Sequence, residues 1–304
     1  MTELTTTRCA LCGASEFETI RTFDSGVTVG QCTTCGFIYT PLQHADPGSV
    51  LDGDAEHDLG VILRPILDGT VRHYRHDAYS AYLDRLESLT PKRRLLDVGC
   101  AHGFFPAQAK ARGWDCTAVE IQETLAAFAA ETHHIEVLSG SIHDVDLGSR
   151  RFDAITFTDS LEYVPDPVGA LRKVRASMDE NGVLLAKVPN ADYFRLGMAA
   201  SRVGISFGEA AFGPEQRVSH FTRNSIASVA AEAGFRDIDV GWFAPIHSTL
   251  WHRIVGLPLA SEMPPVLDRG KRFLRNTLHA AGLAEFRLAG RNNGSQSLLL
   301  LARS

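Results

Sequence analysis

The sequence predicts an α/β fold, a doubly wound and mostly parallel seven-stranded sheet, preceded by a small N-terminal ribbon. Strand-length apolar runs alternate with segments of helical periodicity through residues 93–304, which is typical of βα units. One of these runs ends in an acid and opens into a glycine-bearing loop, Asp97 to Gly103. Two matched cysteine pairs precede this region. Repeated βα units favour a parallel sheet with helices on both faces.

Each predicted element is supported by its own pattern. The seven strands are apolar runs bounded by turn residues, at 94–98, 116–120, 135–138, 152–158, 183–188, 235–240 and 297–302. Helices with one apolar face are predicted at 70–89 and 167–178, and two more helices at 104–112 and, Ala-rich, at 123–131. A further helix is predicted to begin after Thr222, which can cap it, and to stop at Gly234. A turn is predicted from Asp179 to Gly182.

The same patterns divide the chain. We expect a ribbon at 1–41, a linker and helical lead-in at 42–92, and the large domain at 93–304. About fifty residues, 243–293, lie between the last two predicted strands, which is long for a plain connection. They are either extra helices packed on the sheet or a lid over a substrate.

Four cysteines form a predicted metal site. Cys9 and Cys12 make one Cys-x-x-Cys pair, and Cys32 and Cys35 make the other, with nineteen residues between the pairs. Each pair spans a tight turn that directs both sulfurs at one ion, and a glycine follows each pair. The spacing predicts a closed structural zinc site rather than a catalytic metal.

Composition limits the classes of function. The 304 residues carry a formal net charge of -6, which argues against a general polyanion-binding surface. No run of about 18 apolar residues is present, so no membrane span is expected. The first residues lack the basic start and apolar core of a signal peptide, so a cytoplasmic location is predicted.

The loop at 97–103 and a later acid predict a ligand that contains ribose. Gly99 and Gly103 would let the backbone approach a ligand at the start of a helix. Glu120 ends the next strand about twenty residues on, where a carboxylate can bind both ribose hydroxyls. Asp159 and Ser160 follow the fourth strand, at the edge of the sheet where ligands bind in such folds.

Five ordered segments resemble those of class I S-adenosylmethionine-dependent methyltransferases. These segments are 97–103, Glu120, 157–167, 180–190 and 219–235, although Tyr163 replaces the family's usual histidine. The resemblance extends from Leu95 to Ser304 and is stronger than that to nicotinamide-dependent dehydrogenases. It implies S-adenosylmethionine as the cofactor. The residues expected to bind it are Asp97, Gly99, Cys100, Gly103, Glu120, Ile121, Ile142, Asp159 and Ser160.

The acceptor's proton requires a base. His220 is the first candidate, because the unperturbed pKa of histidine suits proton removal near neutrality. Tyr163 and Glu162 are the next candidates. The predicted reaction is methylation of a hydroxyl on a small molecule, a sugar or natural product. Three alternatives stay open: carbon methylation of a keto sugar, a zinc-containing RNA methyltransferase, and a scaffold that binds cofactor without catalysis.

Overall fold

The computed structural model describes residues 4–44, 63–67, 73, 75–91, 93–201, 213, 216–241 and 297–304. The predicted insertion at 243–293 lies outside these residues. Among the described helices, none is long and apolar enough to cross a bilayer.

The N-terminal part of the chain forms an antiparallel sheet around the cysteines. Its strands are β1 (Leu4–Thr6), β2 (Phe17–Thr22), β3 (Thr28–Cys32) and β4 (Ile38–His44). They lie in the order β1-β4-β3-β2. Strand β4 extends to His44, into the segment from residue 42 onward that the sequence predicted to be a linker. A short helix, α1 (Arg64–Leu67), and helix α2 (His76–Leu89) follow.

The second sheet forms the large domain. Its strands are β5 (Arg94–Val98), β6 (Asp115–Glu120), β7 (Glu136–Ser139), β8 (Phe152–Thr158), β9 (Met178–Pro189), β11 (Arg236–Gly241) and β12 (Ser297–Arg303). Their order is β11-β12-β9-β8-β5-β6-β7. Strand β12 is antiparallel to both of its neighbours, and the other pairs are parallel. Every residue of β8 is buried, as expected for a central strand covered on both faces.

Helices connect these strands. They are α3 (Phe104–Ala111), α4 (Glu123–His133), α5 (Pro167–Ala176), α6 (Ala191–Ser201) and α7 (Arg223–Glu232), with a 3₁₀ turn at Leu161–Tyr163. Thr222 caps α7, because its hydroxyl accepts a hydrogen bond from the Ser225 amide. Gly234 follows with φ at 92°, so the predicted start and stop of this helix are confirmed.

The predicted fold class is confirmed, with one local correction. The turn predicted at Asp179 to Gly182 is wrong, because this segment belongs to β9. The pairing shifts between Phe152 opposite Met178 and Ala154 opposite Val183, so the extra residues form a bulge. Turn-forming residues are compatible with such a bulge, since Asn181 has φ at 63°.

The two sheets are joined by strand β10 (Ser219–His220). This strand comes from the large domain but pairs with β4, with Ser219 opposite Tyr39 and His220 opposite Ile38. Phe37 also packs edge-on against Phe221, with the ring centroids 5.8 Å apart. The N-terminal sheet and the large domain therefore share one buried core.

Candidate active site

The predicted site residues gather at the carboxyl ends of β5, β6 and β8. Strand β5 is the point where the strand order reverses, since β6 follows it in sequence on one side and β8 lies on the other. Open α/β sheets bind ligands in the crevice at this position. The topology therefore brings the loop after β5, Glu120 and Asp159 to one edge of the sheet.

The loop after β5 needs both of its predicted glycines. Gly99 has φ at 77°, and a Cβ atom there would lie 2.4 Å from the Ser160 Cβ. Gly103 has φ at 76°, and its Cβ would lie 2.8 Å from that of Ala129. Between them, Ala101 adopts φ of 48°, in the left-handed region where a side chain costs about 1–2 kcal/mol. The loop backbone is therefore packed closely against α4 and against the segment after β8.

Glu120, at the end of the neighbouring strand β6, is hydrogen-bonded to this loop. Its Oε2 accepts a hydrogen bond from the Ala101 amide at 2.8 Å, and its Oε1 accepts one from the Gln122 amide at 3.0 Å. The carboxyl group is buried, and burial raises its pKa. A carboxylate has about four acceptor sites, so capacity for two ligand hydroxyls remains.

Asp97 is the penultimate residue of β5 and is fully buried. Its Oδ1 accepts a hydrogen bond from the Thr156 hydroxyl at 2.7 Å. Its Oδ2 has no partner in the described part of the chain. Burial raises the pKa of this carboxyl to about 7. An unsatisfied buried oxygen of this kind is costly, and a ligand that donates a hydrogen bond would relieve that cost.

The remaining predicted cofactor residues line the same edge. Cys100 is buried in the loop itself. Ile121 directly follows Glu120 and is an exposed large apolar side chain, with 57% of its surface accessible. Ile142 follows β7 and is buried. An exposed isoleucine beside a ribose-type acid fits one wall of an adenine pocket.

The segment after β8 carries a cluster of charges. Asp159 has φ at 59°, and its two oxygens pair with Lys187 and, at 2.8 Å, with Arg75. Burial alone would raise the pKa of this carboxyl, but the two cations outweigh burial and lower it. Ser160 donates a hydrogen bond to the Val98 carbonyl, which ties this segment to the cofactor loop.

Glu162 is a buried acid in the 3₁₀ turn that follows this segment. Only 1% of its surface is exposed, and neither carboxylate oxygen has a hydrogen-bond partner among the residues described. The Nε atom of Arg217 lies 3.8 Å from its Oε1. Burial, and then the charge of Asp159, raise the pKa of Glu162 to about 7. Tyr163 lies beside it, with the Arg217 guanidinium 5.8 Å from the ring centre.

His220 lies on β10, two residues after Val218, whose amide donates a hydrogen bond to the Glu162 carbonyl. Its Nε2 is 3.0 Å from the Thr40 hydroxyl, and the ring is buried. Burial, and next the charge of Arg217, lower the pKa of His220 to about 3. The ring is therefore neutral at physiological pH, and it is a weaker proton acceptor here than free histidine.

The four predicted metal ligands lie together. All four sulfurs of Cys9, Cys12, Cys32 and Cys35 fall within 4.8 Å of one another. The closest pairs, Cys9 with Cys35 and Cys12 with Cys32, are 3.5 Å apart. Thiolates about 2.3 Å from a tetrahedral zinc ion have similar separations, so the donor set fits zinc.

Four residues of this site were not singled out from the sequence. These are Thr40, Arg75, Lys187 and Arg217. Lys187 had a signal, because it is the one charge within the apolar run of 183–188. The other three come from distant parts of the chain, and their roles depend on tertiary contacts.

Comparison with known proteins agrees with this geometry. A family model described as a methyltransferase domain matches residues 71–240, more than half of the chain. A ubiquinone biosynthesis O-methyltransferase from Alkalilimnicola ehrlichii is 34% identical over 85 residues, which cover 26% of this chain and 34% of that protein. The corresponding enzyme from Histophilus somni is 26% identical over 125 residues, 37% of this chain and 51% of that protein. The chain thus spans between a third and about half of these curated relatives.

Solved structures show the same fold at low identity. Phosphoethanolamine N-methyltransferase 2 from Haemonchus contortus, solved with S-adenosylmethionine, has a TM-score of 0.57 at 14% identity over 94% of this chain and 71% of that one. An S-adenosylmethionine-dependent methyltransferase from Mesorhizobium loti has a TM-score of 0.50 at 16% identity, over 76% of this chain and 100% of that one.

The fold and the loop at the carboxyl ends of its strands define a Rossmann-like, S-adenosylmethionine-dependent methyltransferase. The chain belongs to the methyltransferase-domain family whose model matches residues 71–240.

Proposed function

We propose that this enzyme methylates a hydroxyl group of a small molecule, a sugar or another hydroxylated natural product. The observation that carries this proposal is Glu162, a buried carboxyl whose two oxygens no described residue hydrogen-bonds. It lies two residues after Ser160, whose hydroxyl donates a hydrogen bond to the Val98 carbonyl just before the cofactor loop. A hydroxyl of the acceptor would satisfy an oxygen that is otherwise buried at a cost.

In this proposal, three parts of the site bind the cofactor. Glu120 binds the ribose and the loop between Gly99 and Gly103 receives the rest of the cofactor, which supplies a methyl group on a positively charged sulfur. Asp97 offers its unsatisfied oxygen to the cofactor's ammonium group. These residues hold the methyl group in line with the acceptor oxygen. Such positioning lowers the activation free energy of the transfer by several kcal/mol.

Glu162 accepts the proton in this proposal. As the acceptor oxygen bonds to the methyl carbon, the carbon–sulfur bond breaks and the hydroxyl proton moves to the carboxylate. A pKa of about 7 suits this transfer near neutrality. His220 remains a candidate, but its lowered pKa supports Glu162 ahead of it. The same carboxylate could remove a proton next to a carbonyl, which is the carbon-methylation alternative.

The four cysteines hold a structural zinc ion in this proposal. Their sulfurs surround one position, and four protein ligands leave no open coordination site. The ion therefore takes no part in methyl transfer.

The test is turnover with a panel of hydroxylated acceptors and S-adenosylmethionine carrying a deuterated methyl group. We expect mass spectrometry to find a product with the labelled methyl on oxygen, and Glu162→Gln to reduce turnover while cofactor affinity is kept. Glu180→Gln, which changes an exposed acid on β9, is the matched control. A labelled methyl on carbon, or on RNA added in parallel, would contradict the proposed acceptor.

A further inference from the structure

Thr40 connects the N-terminal sheet to the buried charge cluster. It lies on β4, is fully buried, and belongs to none of the motifs recognised in the sequence. Its amide donates a hydrogen bond to the Val218 carbonyl at 3.0 Å, and the Val218 amide donates one to the Glu162 carbonyl at 3.0 Å. Thr40 and Glu162 therefore hold the same residue from opposite sides.

The Thr40 hydroxyl also fixes the tautomer of His220. It donates a hydrogen bond to the Arg217 carbonyl at 2.8 Å, and this uses its one hydrogen. The contact with His220 Nε2 at 3.0 Å must then run in the other direction, with the ring as donor. The hydrogen of the neutral imidazole is thus on Nε2, and Nδ1 is the acceptor-type nitrogen.

The same hydroxyl restrains Arg217. The Arg217 carbonyl is held by Thr40, and its amide donates to the Gly213 carbonyl at 3.0 Å. Both backbone groups of Arg217 are therefore hydrogen-bonded, and its guanidinium lies near Glu162 and over the Tyr163 ring. The position of Arg217 matters because its Nε atom lies 3.8 Å from Oε1 of the buried Glu162.

We propose that Thr40 is a positioning residue for methyl transfer: its hydroxyl orients His220 and holds Arg217 beside Glu162. This proposal rests on the role of Glu162 in the proposed function. Four groups set the electrostatics of Glu162, namely Asp159, Lys187, Arg217 and Tyr163. Arg217 favours the ionised carboxylate, whereas burial and Asp159 oppose it. The N-terminal sheet would therefore contribute directly to the chemistry of the large domain.

The test compares Thr40→Val with Thr40→Ser. Valine keeps the shape but loses the hydroxyl, and serine retains it. If Arg217 shifts away in Thr40→Val, the Glu162 carboxylate loses its nearest cation and its pKa rises. We expect the acidic limb of the kcat/KM profile to move to higher pH. We also expect kcat to fall about 10-fold, which is a fraction of the rate enhancement that a positioned general base supplies. Thr40→Ser should behave like the wild type, and both variants should bind S-adenosylmethionine normally.

A second readout does not depend on activity. Nitrogen-15 NMR of the imidazole, assigned by difference from His220→Gln, reports the tautomer directly. We expect the Nε2–H form in the wild type and in Thr40→Ser, and a changed or mixed tautomer in Thr40→Val. An unchanged tautomer together with an unmoved acidic limb in Thr40→Val would overturn the proposal. If the wild type methylates no acceptor, the proposed function fails, and the tautomer still decides whether Thr40 orients His220.

Discussion

The Oε2 atom of Glu120 accepts a hydrogen bond from the amide of Ala101 at 2.8 Å, across two neighbouring strands. One buried carboxylate thereby holds the loop after β5 and stands where a ribose would lie. In the function proposed above, the loop that receives the cofactor and the acid that binds its ribose are therefore joined by a direct hydrogen bond.

Replacing Glu120 by alanine should weaken S-adenosylmethionine binding about 10- to 100-fold, because hydrogen bonds to a charged group are lost. Calorimetric titration measures this change. Glu123→Ala, which removes an exposed acid at the start of α4, should leave the affinity unchanged. Wild-type affinity in Glu120→Ala would remove the ribose assignment.

Gly99→Ala should destabilise the protein through two additive effects. The left-handed backbone costs about 1–2 kcal/mol, and the contact 2.4 Å from the Ser160 Cβ adds a packing penalty of about 1–3 kcal/mol. Gly113→Ala separates these effects, because Gly113 has φ at 86° with no atom near its Cβ position. Urea denaturation should show the larger loss for Gly99→Ala. Equal losses would mean that the approach of Ser160 is not tight.

The pH dependence of turnover should follow Glu162. Its carboxyl must be ionised to accept a proton, so kcat/KM should fall as the pH decreases through about 7. Glu162→Gln should abolish this acidic limb and reduce kcat about 100-fold or more. If the limb persists in Glu162→Gln and disappears in His220→Gln, the histidine is the base.

Metal content should depend on the four cysteines. Cys12→Ser should lower bound zinc, measured by mass spectrometry of the purified protein, and should destabilise the N-terminal sheet. Because β10 of the large domain pairs with β4 of the N-terminal sheet, turnover should fall when that sheet is destabilised. Cys116→Ala changes a buried cysteine outside the cluster and should retain the zinc. Loss of zinc with normal stability and no turnover would contradict a structural role.

The sequence predicted the elements with local signals. The strand at 94–98, the glycine loop, the acid at Glu120 and the Thr222 cap depend on residues close in the chain, and each is observed. The confirmed fold class follows from the alternation of such elements.

The sequence did not predict features that depend on distant contacts. Strand β10 has two residues, too few for any periodicity, and its partner β4 lies about 180 positions earlier. The charge cluster likewise joins Arg75, Asp159 and Lys187 from three separate parts of the chain. The histidine at 220 was recognised as a candidate base from its residue type, but its burial and its contact with Thr40 depend on this pairing.

The most direct test of the central claim is calorimetric titration with S-adenosylmethionine and S-adenosylhomocysteine, with a nicotinamide dinucleotide as control. The loop at Gly99 and the carboxylate of Glu120 predict micromolar binding of the first two ligands and no binding of the control. Binding of the nicotinamide dinucleotide, or no binding of either S-adenosyl compound, would contradict the assignment of this site.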